Sequence, residues 1–246
     1  FGVAGSGHND AVALLLLVRS RLAVIRKRGA WSAAALGLSA LLKLFPISLL
    51  PLFARRLRPS HLLIPPALMT AGYLPYLAAG SNLVVSARQY AERWRSNDSI
   101  FAVMVWCAER SGIAPLLKSW CDDFGINSLY SQPHLLAREA AALIALTVLG
   151  WLTLRQWRSG DEPSRAIFLF IGLVLILQPA LHPWYLLWIL PWLCLYTSPA
   201  WLLLTGLIPL AYLDAAWVRW VEYLPFYALL AVSLVVELPP NRRHSR

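Results

Sequence analysis

Long apolar stretches alternate with short basic loops along most of this chain. A helix needs roughly 17–25 mostly apolar residues to cross a bilayer, and fewer where basic residues at its ends can snorkel. The stretches that approach this length are residues 10–25, 31–54, 61–79, 135–157, 166–181, 184–196, 200–217 and 221–238. The pattern predicts an all-α fold, a polytopic integral membrane helical bundle.

Composition agrees with a membrane protein rather than a soluble domain. Hydrophobic residues make up 59% of the 246-residue chain, charged residues only 14%, and the mean hydropathy is +0.58. These values exceed what a soluble domain needs to fill one core. The net charge of +10 does not indicate nucleic acid, because the basic residues sit in short loops beside apolar stretches.

The basic loops predict which ends of the helices share a side. They comprise residues 26–28, 55–58, 155–165 and 242–246, and the positive-inside rule places all of them in the cytoplasm. The stretch 31–54 would then have to enter the membrane and return on the same side. Pro46, three residues after Lys43, supplies a break in that stretch. The alternative is one continuous, Pro-kinked helix with a snorkelling Lys43, which would leave one basic loop outside.

With the re-entrant hairpin, the remaining stretches alternate without conflict. The sequence then predicts about seven crossings, an external N-terminus, an external segment over residues 80–133, an external turn at His182, and an internal C-terminus. Residues 1–246 form a single transmembrane domain in this interpretation. Except for Lys43, the polar clusters of the chain would lie at the outer face.

The external segment contains a helical pattern. Tyr90, Trp94, Asn97, Phe101 and Val105 recur at the spacing of one helix face, whereas the other face holds charged residues such as Arg88. This predicts a helix along the outer membrane interface. Such a helix is either anchored there by its aromatic residues or binds substrate.

Several short motifs in order resemble a known family. They are Gly7-His8-Asn9-Asp10 at the start of an apolar helix, then Leu42-Lys43-Leu44-Phe45-Pro46, then Tyr90, Trp94, Asn97 and Phe101. Together they resemble the GT-C membrane glycosyltransferases, in particular glycosyltransferase family 87 and the polyprenyl-phosphate-mannose-dependent mannosyltransferases. The resemblance is strongest over residues 5–105.

The resemblance implies an enzyme of a bacterial inner membrane. It would transfer a hexose, with mannose the leading expectation, from a polyprenyl-phosphate carrier to a glycan or glycolipid acceptor on the non-cytoplasmic face. In this family the general base is an acidic residue in the first external loop. No segment here matches that loop, so we expect the chain to be the C-terminal fragment of a longer protein, with Asp10 a less favoured base.

Such a transfer needs groups that orient two sugars and positive charge that stabilises the departing phosphate. Lys43 and Arg88 are the candidates for the phosphate. Asp10 either binds substrate or caps the first helix, and His182 either lines the site or lies in an interfacial turn. The full set of predicted substrate-binding residues is His8, Asn9, Asp10, Lys43, Arg88, Tyr90, Trp94, Asn97, His182 and Tyr185.

Other classes of site find little support in the sequence. The five His and three Cys lack the spacing of a metal site, and a Gly-rich phosphate loop is missing, so we expect neither metal nor cofactor. A transporter or lipid flippase is the main alternative function, and it should show paired repeats with discontinuous helices in corresponding halves. A structural subunit is a third interpretation.

Overall fold

The computed structural model describes residues 9–80, 82, 85, 89, 94–125, 132–213, 215 and 217–237. Within these residues the fold is all-helical, and the one β-type pairing is an isolated bridge between Ser96 and Ala180. The α-helices are α1 (Asp10–Ile25), α2 (Gly29–Leu42), α3 (Leu50–Ala54), α4 (Pro59–Leu62), α5 (Ile64–Tyr73), α6 (Ile100–Arg110), α7 (Ile113–Asp123), α8 (Pro133–Ser159), α9 (Ser164–Leu177), α10 (Leu190–Leu193), α11 (Pro199–Leu207) and α12 (Val218–Glu237). Turns of 3-10 helix cover Phe45–Leu49, Leu74–Ala79, Pro183–Trp188 and Ile208–Leu213.

Helices α1 and α2 form an antiparallel pair joined by a tight turn. Lys27 adopts a left-handed conformation with φ of 57°, which reverses the chain within three residues. The buried Ser20 hydroxyl lies 2.9 Å from the carbonyl oxygen of Ser32, and the Ser39 hydroxyl donates to the carbonyl oxygen of Ala13 at 2.7 Å. Small residues and hydroxyl groups of this kind let two apolar helices approach closely.

The predicted break follows α2. Lys43 is extended, with φ of −147° and ψ of 126°, and the chain resumes as the 3-10 turn Phe45–Leu49 and then α3. Pro46 lies at the start of that turn, where its missing N–H costs no helical hydrogen bond. The stretch 31–54 is therefore two helical arms rather than one helix.

Close contacts of two glycines show where the second arm ends. Gly29, at the start of α2, lies so near His61 that an added Cβ would be 2.5 Å from the Nδ1 atom of His61. Further along, the Cβ of a substituted Gly37 would be 2.9 Å from the Cα atom of Pro65. Helix α2 and the α4–α5 segment thus run side by side in the same direction. The intervening arm must return to the end where α2 began, which favours the hairpin over the kinked helix.

Three of the predicted basic loops meet at one end of the bundle, which we call the basic end. Arg21 contacts Glu162 at 3.3 Å, and Arg55 donates to the carbonyl oxygen of Gln156 at 3.1 Å. Arg56 donates to the carbonyl oxygen of Gly160 at 2.6 Å. These contacts put the loops at one end of the bundle, while their position on the cytoplasmic side stays a prediction. Residues 242–246 lie outside the described part of the chain.

The predicted number of crossings is matched only in part. Two helical segments, Pro59–Ala79 and Pro133–Ser159, are long and apolar enough to cross a membrane, and Ile100–Arg110 with Ile113–Asp123 would make a third despite a bend of 66°. Other apolar segments are shorter. Residues 184–196, predicted as a span, fold as a 3-10 turn and the four-residue α10, because Pro183 and Pro191 each start a new helical piece.

The predicted continuous helix over residues 90–105 is wrong for its described part. The backbone N–H of Ser96 donates to the carbonyl oxygen of Pro179, and the N–H of Leu181 donates to that of Ser96, both at 3.0 Å. Asn97 has a positive φ of 48°. These groups pair with a distant segment and leave the local helix, which begins only at Ile100. Phe101 and Val105 of the predicted stripe are buried inside the protein, although the stripe predicts an interfacial position for them.

Candidate active site

A buried ion pair lies where α1 begins and α2 ends, at the end of the bundle opposite the basic end. The Lys43 Nζ atom is 3.2 Å from the Oδ2 atom of Asp10, and the Nε1–H of Trp188 donates to Oδ1 of Asp10 at 3.0 Å. Asp10 is only 1% exposed. The structure thus brings together two predicted site residues from different helices.

The antiparallel pairing of α1 and α2 produces this arrangement. Asp10 is the first residue of α1, and Lys43 immediately follows the last residue of α2, so both lie at the same end of the pair. Asn9 joins them through a long contact of 3.5 Å from its Nδ2 atom to the carbonyl oxygen of Leu42. The side chain of Asp10 faces Lys43 and Trp188 and makes no capping hydrogen bond to α1.

The two charges of the pair differ in their access to solvent. The Asp10 side chain is 1% exposed, whereas 34% of the Lys43 side chain is exposed. A buried carboxylate requires a partner, since an unpaired one would cost several kcal/mol. The ammonium of lysine has three donors, so after meeting Asp10 it retains the capacity to bind a second anion from the exposed side.

An aromatic group formed by Trp94, His182, Trp184 and Tyr185 adjoins this pair. The rings of His182 and Trp184 stack with centroids 4.5 Å apart, and the Nε1–H of Trp94 donates to Nε2 of His182 at 3.3 Å. Tyr185 meets His182 edge-on at 5.6 Å. Trp188 belongs to the same 3-10 turn as Tyr185, so the aromatic group and the ion pair are neighbours.

Phe45 links the ion pair to the break in the hairpin. Its ring packs edge-on against Trp188, with centroids 5.6 Å apart, and stacks at 6.3 Å on Phe170 of α9. The residues just after Lys43 are therefore fixed against two other elements. This packing stabilises the extended conformation that presents Lys43.

A second polar cluster lies at the same end of the bundle. Asp98, which is 2% exposed, pairs with Arg95 and lies 3.4 Å from an Nη1 atom of Arg219. Asn97 donates from Nδ2 to the Oε2 atom of Glu222 at 2.9 Å. Because Asp98, Asn97 and Glu222 are buried and each is engaged by a polar partner, the cluster ties the segment after Trp94 to α12.

A groove of about 620 Å³ runs beside the second cluster, between α6 and α12. Its lining is mostly apolar, with Val103 and Leu224 among the contributors, and Arg219 lies on its wall. None of the residues lining it belongs to the Asp10–Lys43 pair. The groove and the ion pair are therefore separate features of the described structure.

The predicted site residues fall into three groups. Asn9, Asp10 and Lys43 lie together, and Trp94, His182 and Tyr185 form the aromatic group beside them. Asn97, by contrast, is 8% exposed and held by Glu222 and the carbonyl oxygen of Leu181. The predicted residues His8, Arg88 and Tyr90 lie outside the described part of the chain.

Sequence reasoning missed Trp188, Arg219 and Glu222. Trp188 lies three residues after Tyr185, which in a 3-10 turn puts both on one side, but the run of apolar residues around it resembles a span. Arg219 and Glu222 were obscured because they begin an apolar stretch, where charges are expected to lie at the membrane surface. Their spacing of three residues puts both on one face of α12, and this spacing is the signal that could have found them.

Metal ligation has no geometric support in the residues that the structure describes. No group of three or more His, Cys, Asp or Glu side chains among them could hold an ion. Among the residues that the structure describes, Lys43 is the cation that pairs with Asp10.

Part of the chain is similar to a known protein family. Residues 125–205 match the MptB C-terminal domain. The match covers about a third of the chain and includes α9 and the aromatic residues His182, Trp184 and Tyr185. Asp10 and Lys43 lie outside it. No curated protein and no solved structure matches the chain.

Proposed function

We propose that this chain is part of a membrane mannosyltransferase that uses polyprenyl-phosphate mannose as donor. The observation that carries the proposal is the match of residues 125–205 to the C-terminal domain of MptB, a polyprenol-phosphate-mannose-dependent mannosyltransferase of GT-C type. The acceptor in this proposal is a hydroxyl of a glycan or glycolipid. Glycosyltransferase family 87 remains a finer assignment that belongs to the same proposal.

Two separate parts of the chain support this function. The motifs that resemble the GT-C enzymes lie within residues 5–105, whereas the MptB match begins at residue 125. The 3.0 Å hydrogen bond from Trp188 to Asp10 joins the two parts directly. A resemblance and a match in different segments therefore converge on one site.

Lys43 has the chemistry that this transfer requires. The bond between the anomeric carbon of mannose and the phosphate oxygen breaks, the electron pair leaves with the polyprenyl phosphate, and the acceptor oxygen forms the new bond to carbon. The acceptor hydroxyl gives its proton to a base. A fixed ammonium beside the departing phosphate stabilises the charge that develops there, and we assign this role to Lys43.

Asp10 is better suited to position Lys43 than to act as the base. Its carboxylate is 1% exposed and is engaged by Lys43 and Trp188, so an acceptor hydroxyl has no open approach to it. A general base must come within hydrogen-bond distance of the proton that it removes. We assign the base to an acidic residue outside the described part of the chain.

The aromatic group supplies surfaces for sugar rings. In this proposal Trp94 and Tyr185 pack against the donor or acceptor sugar, and His182 hydrogen-bonds to its hydroxyls. Asn9 lies close enough to the ion pair to hydrogen-bond to the substrate there. His8, Arg88 and Tyr90 remain predicted substrate contacts. Asn97 instead holds the segment after Trp94 in place through its hydrogen bonds to Glu222 and Leu181.

The proposed topology has seven crossings and the hairpin, with the site on the non-cytoplasmic face of a bacterial inner membrane. Supporting it are the shared position of the basic loops near Arg21, Arg55 and Arg56 and the opposite position of Lys43. Residues 80–133 would then be external. Labelling of the exposed Cys107 by a membrane-impermeant thiol reagent tests this orientation. We expect labelling in intact cells, and labelling only after the membrane is opened would contradict the proposed orientation.

A transfer assay tests the function. Membranes containing the full-length protein are incubated with polyprenyl phosphate carrying radiolabelled mannose and with the glycolipid fraction of the same cells. We expect label in the glycolipid, loss of that transfer in Lys43→Ala, and normal transfer in Lys118→Ala, which removes an exposed lysine of α7. Movement of the lipid-linked sugar across the bilayer without transfer would instead establish a flippase.

A further inference from the structure

Three arginines at the basic end line one surface pocket between α1 and α2. The pocket has a volume of about 400 Å³ and is lined by Arg19, Arg26 and Arg28 together with Trp31 and apolar residues such as Leu22. None of its lining residues is acidic. The pocket therefore combines an apolar wall with a concentration of positive charge.

These arginines differ from their neighbour Arg21 in their partners. Arg21 contacts Glu162 at 3.3 Å and donates to the Ser164 hydroxyl at 2.6 Å. In the described ranges, Arg19, Arg26 and Arg28 have no ion pair with an acidic side chain, and all three are exposed. Their guanidinium groups are thus available to an anion from outside the chain.

An anion would stabilise Arg19 more than it would stabilise Arg26 or Arg28. Arg19 lies seven residues before Arg26, which directly follows the last residue of α1, and at 1.5 Å per residue this places Arg19 about 10 Å further back along the helix. Residues 19, 22, 23 and 26 share one face of a helix. An arginine on an apolar, outward-facing surface at that depth is costly unless it reaches the interface or meets an anion.

The turn after α1 brings the other two arginines toward Arg19. The left-handed conformation of Lys27, with φ of 57°, folds the chain back so that the N–H of Arg28 donates to the carbonyl oxygen of Ala23 at 2.8 Å. Lys27 itself does not line the pocket. Trp31, which is 72% exposed, lies at the same edge, and exposed tryptophans favour the level of lipid headgroups.

We propose that this pocket binds an anionic phospholipid of the leaflet at the basic end. The phosphate accepts hydrogen bonds from the guanidinium groups of Arg19, Arg26 and Arg28, and an acyl chain lies along the apolar wall formed by Leu22. Arginine suits this role because its planar donors match phosphate oxygens. Basic pockets between membrane helices bind such headgroups in other proteins.

This lipid site is independent of the proposed transfer reaction. It shares no residue with the Asp10–Lys43 pair, which lies at the other end of α1. The occupant that we infer is a structural phospholipid of the bilayer and not the polyprenyl-phosphate donor. Binding is therefore measured without turnover.

Native mass spectrometry of the full-length protein tests the proposal. Protein released from nanodiscs of phosphatidylethanolamine, with or without cardiolipin, is compared with the variants Arg19→Gln and Lys27→Gln. Both variants lose one positive charge from the same region, but only Arg19 lines the pocket. We expect retained cardiolipin in the wild type and in Lys27→Gln, and roughly fivefold weaker retention in Arg19→Gln.

The variant Arg19→Lys separates the loss of charge from the loss of the arginine side chain. Arg19→Lys keeps the charge and should retain more lipid than Arg19→Gln, and an unchanged elution volume in size-exclusion chromatography verifies that the variants fold. Equal losses in Arg19→Gln and Lys27→Gln would show only a diffuse basic surface and overturn the site. Equal retention of cardiolipin and phosphatidylethanolamine, or retention of polyprenyl phosphate alone, would also overturn it.

Discussion

Asp98 and Asp10, two of the buried carboxylates at the end of the bundle opposite the basic end, are held in different ways. Asp98 is held by two guanidinium groups, from Arg95 three residues earlier and from Arg219 on α12. Among the described residues, Asp10 is paired with one cation, Lys43, and one neutral donor, Trp188. Both side chains are almost fully buried, with exposures of 0% for Asp98 and 1% for Asp10.

The two sites differ in what their hydrogen bonds hold in place. Around Asp98, Tyr223 donates its hydroxyl to the carbonyl oxygen of Asn97 at 2.7 Å, and the Ser99 and Tyr227 hydroxyls are 2.8 Å apart. These bonds fix a loop to a helix. Around Asp10 the bonds instead fix one partly exposed ammonium at a break between helical arms, where the proposed reaction would place the departing phosphate.

The largest expected effect is on activity, and it distinguishes Lys43 from Arg219. Lys43→Ala should reduce mannose transfer roughly hundredfold to thousandfold, as is typical when a group that stabilises developing charge is removed. Arg219→Ala should reduce transfer by less than about tenfold, because Asp98 remains paired with Arg95 when Arg219 is removed. Initial rates at saturating donor check both values. Equal losses would remove the distinction between the two regions.

The second prediction concerns stability, for which we expect the larger effect at Asp98 and not at Asp10. Arg95→Met leaves the buried carboxylate of Asp98 with Arg219 alone, and it should lower the free energy of unfolding by about 2 kcal/mol. This value is below the usual range for a broken buried pair because 39% of the Arg95 side chain is exposed. Denaturant unfolding in detergent micelles measures it. Arg158→Met, an exposed change on α8, should shift stability by less than about 0.5 kcal/mol.

A double variant tests whether Asp10 serves Lys43. Lys43→Met alone leaves Asp10 charged and buried, which should lower the free energy of unfolding by about 1–2 kcal/mol after allowance for the exposure of Lys43. The combination with Asp10→Asn removes the stranded charge and should recover most of that loss. Transfer should stay low in both variants. Recovery of transfer in the double variant would show that the ammonium is not required.

The smallest effect concerns the neutral donor to Asp10. Trp188→Phe removes the Nε1–H donor and should cost about 1 kcal/mol more than Trp192→Phe. Both changes remove similar volume, and Nε1 of Trp192 has no hydrogen-bond partner in the described residues. The difference between their unfolding free energies therefore isolates the bond to Asp10. Identical costs would mean that Trp188 contributes packing only.

Features set by local sequence were predicted well. The bounds of α1 match the apolar stretch 10–25, because Asp10 and the basic turn delimit it on both sides. The break after Lys43 followed from Pro46, and the return of the second arm followed from the requirement that both basic loops share a side. Charge distribution thus gave a topological feature that hydropathy alone does not reveal.

Features set by long-range pairing were not predicted. The segment at Ser96 leaves the helical pattern because it pairs with residues 179–181, and no spacing within residues 90–105 reports that partner. The burial of Asn97 has the same origin, since Glu222 is 125 residues away. The Asp10–Lys43 contact combines two residues that were each identified, but their meeting depends on how α1 packs on α2.

The hairpin between Gly29 and His61 has a consequence for how the chain is threaded through the membrane. Because the hairpin begins and ends at the same end of the bundle, in the proposed topology it would contribute apolar length without changing the parity of the crossings. Every helix from α4 onward would keep its direction if the two arms were absent. An element of this kind can be added to a bundle, or lost from it, without inverting the rest of the protein.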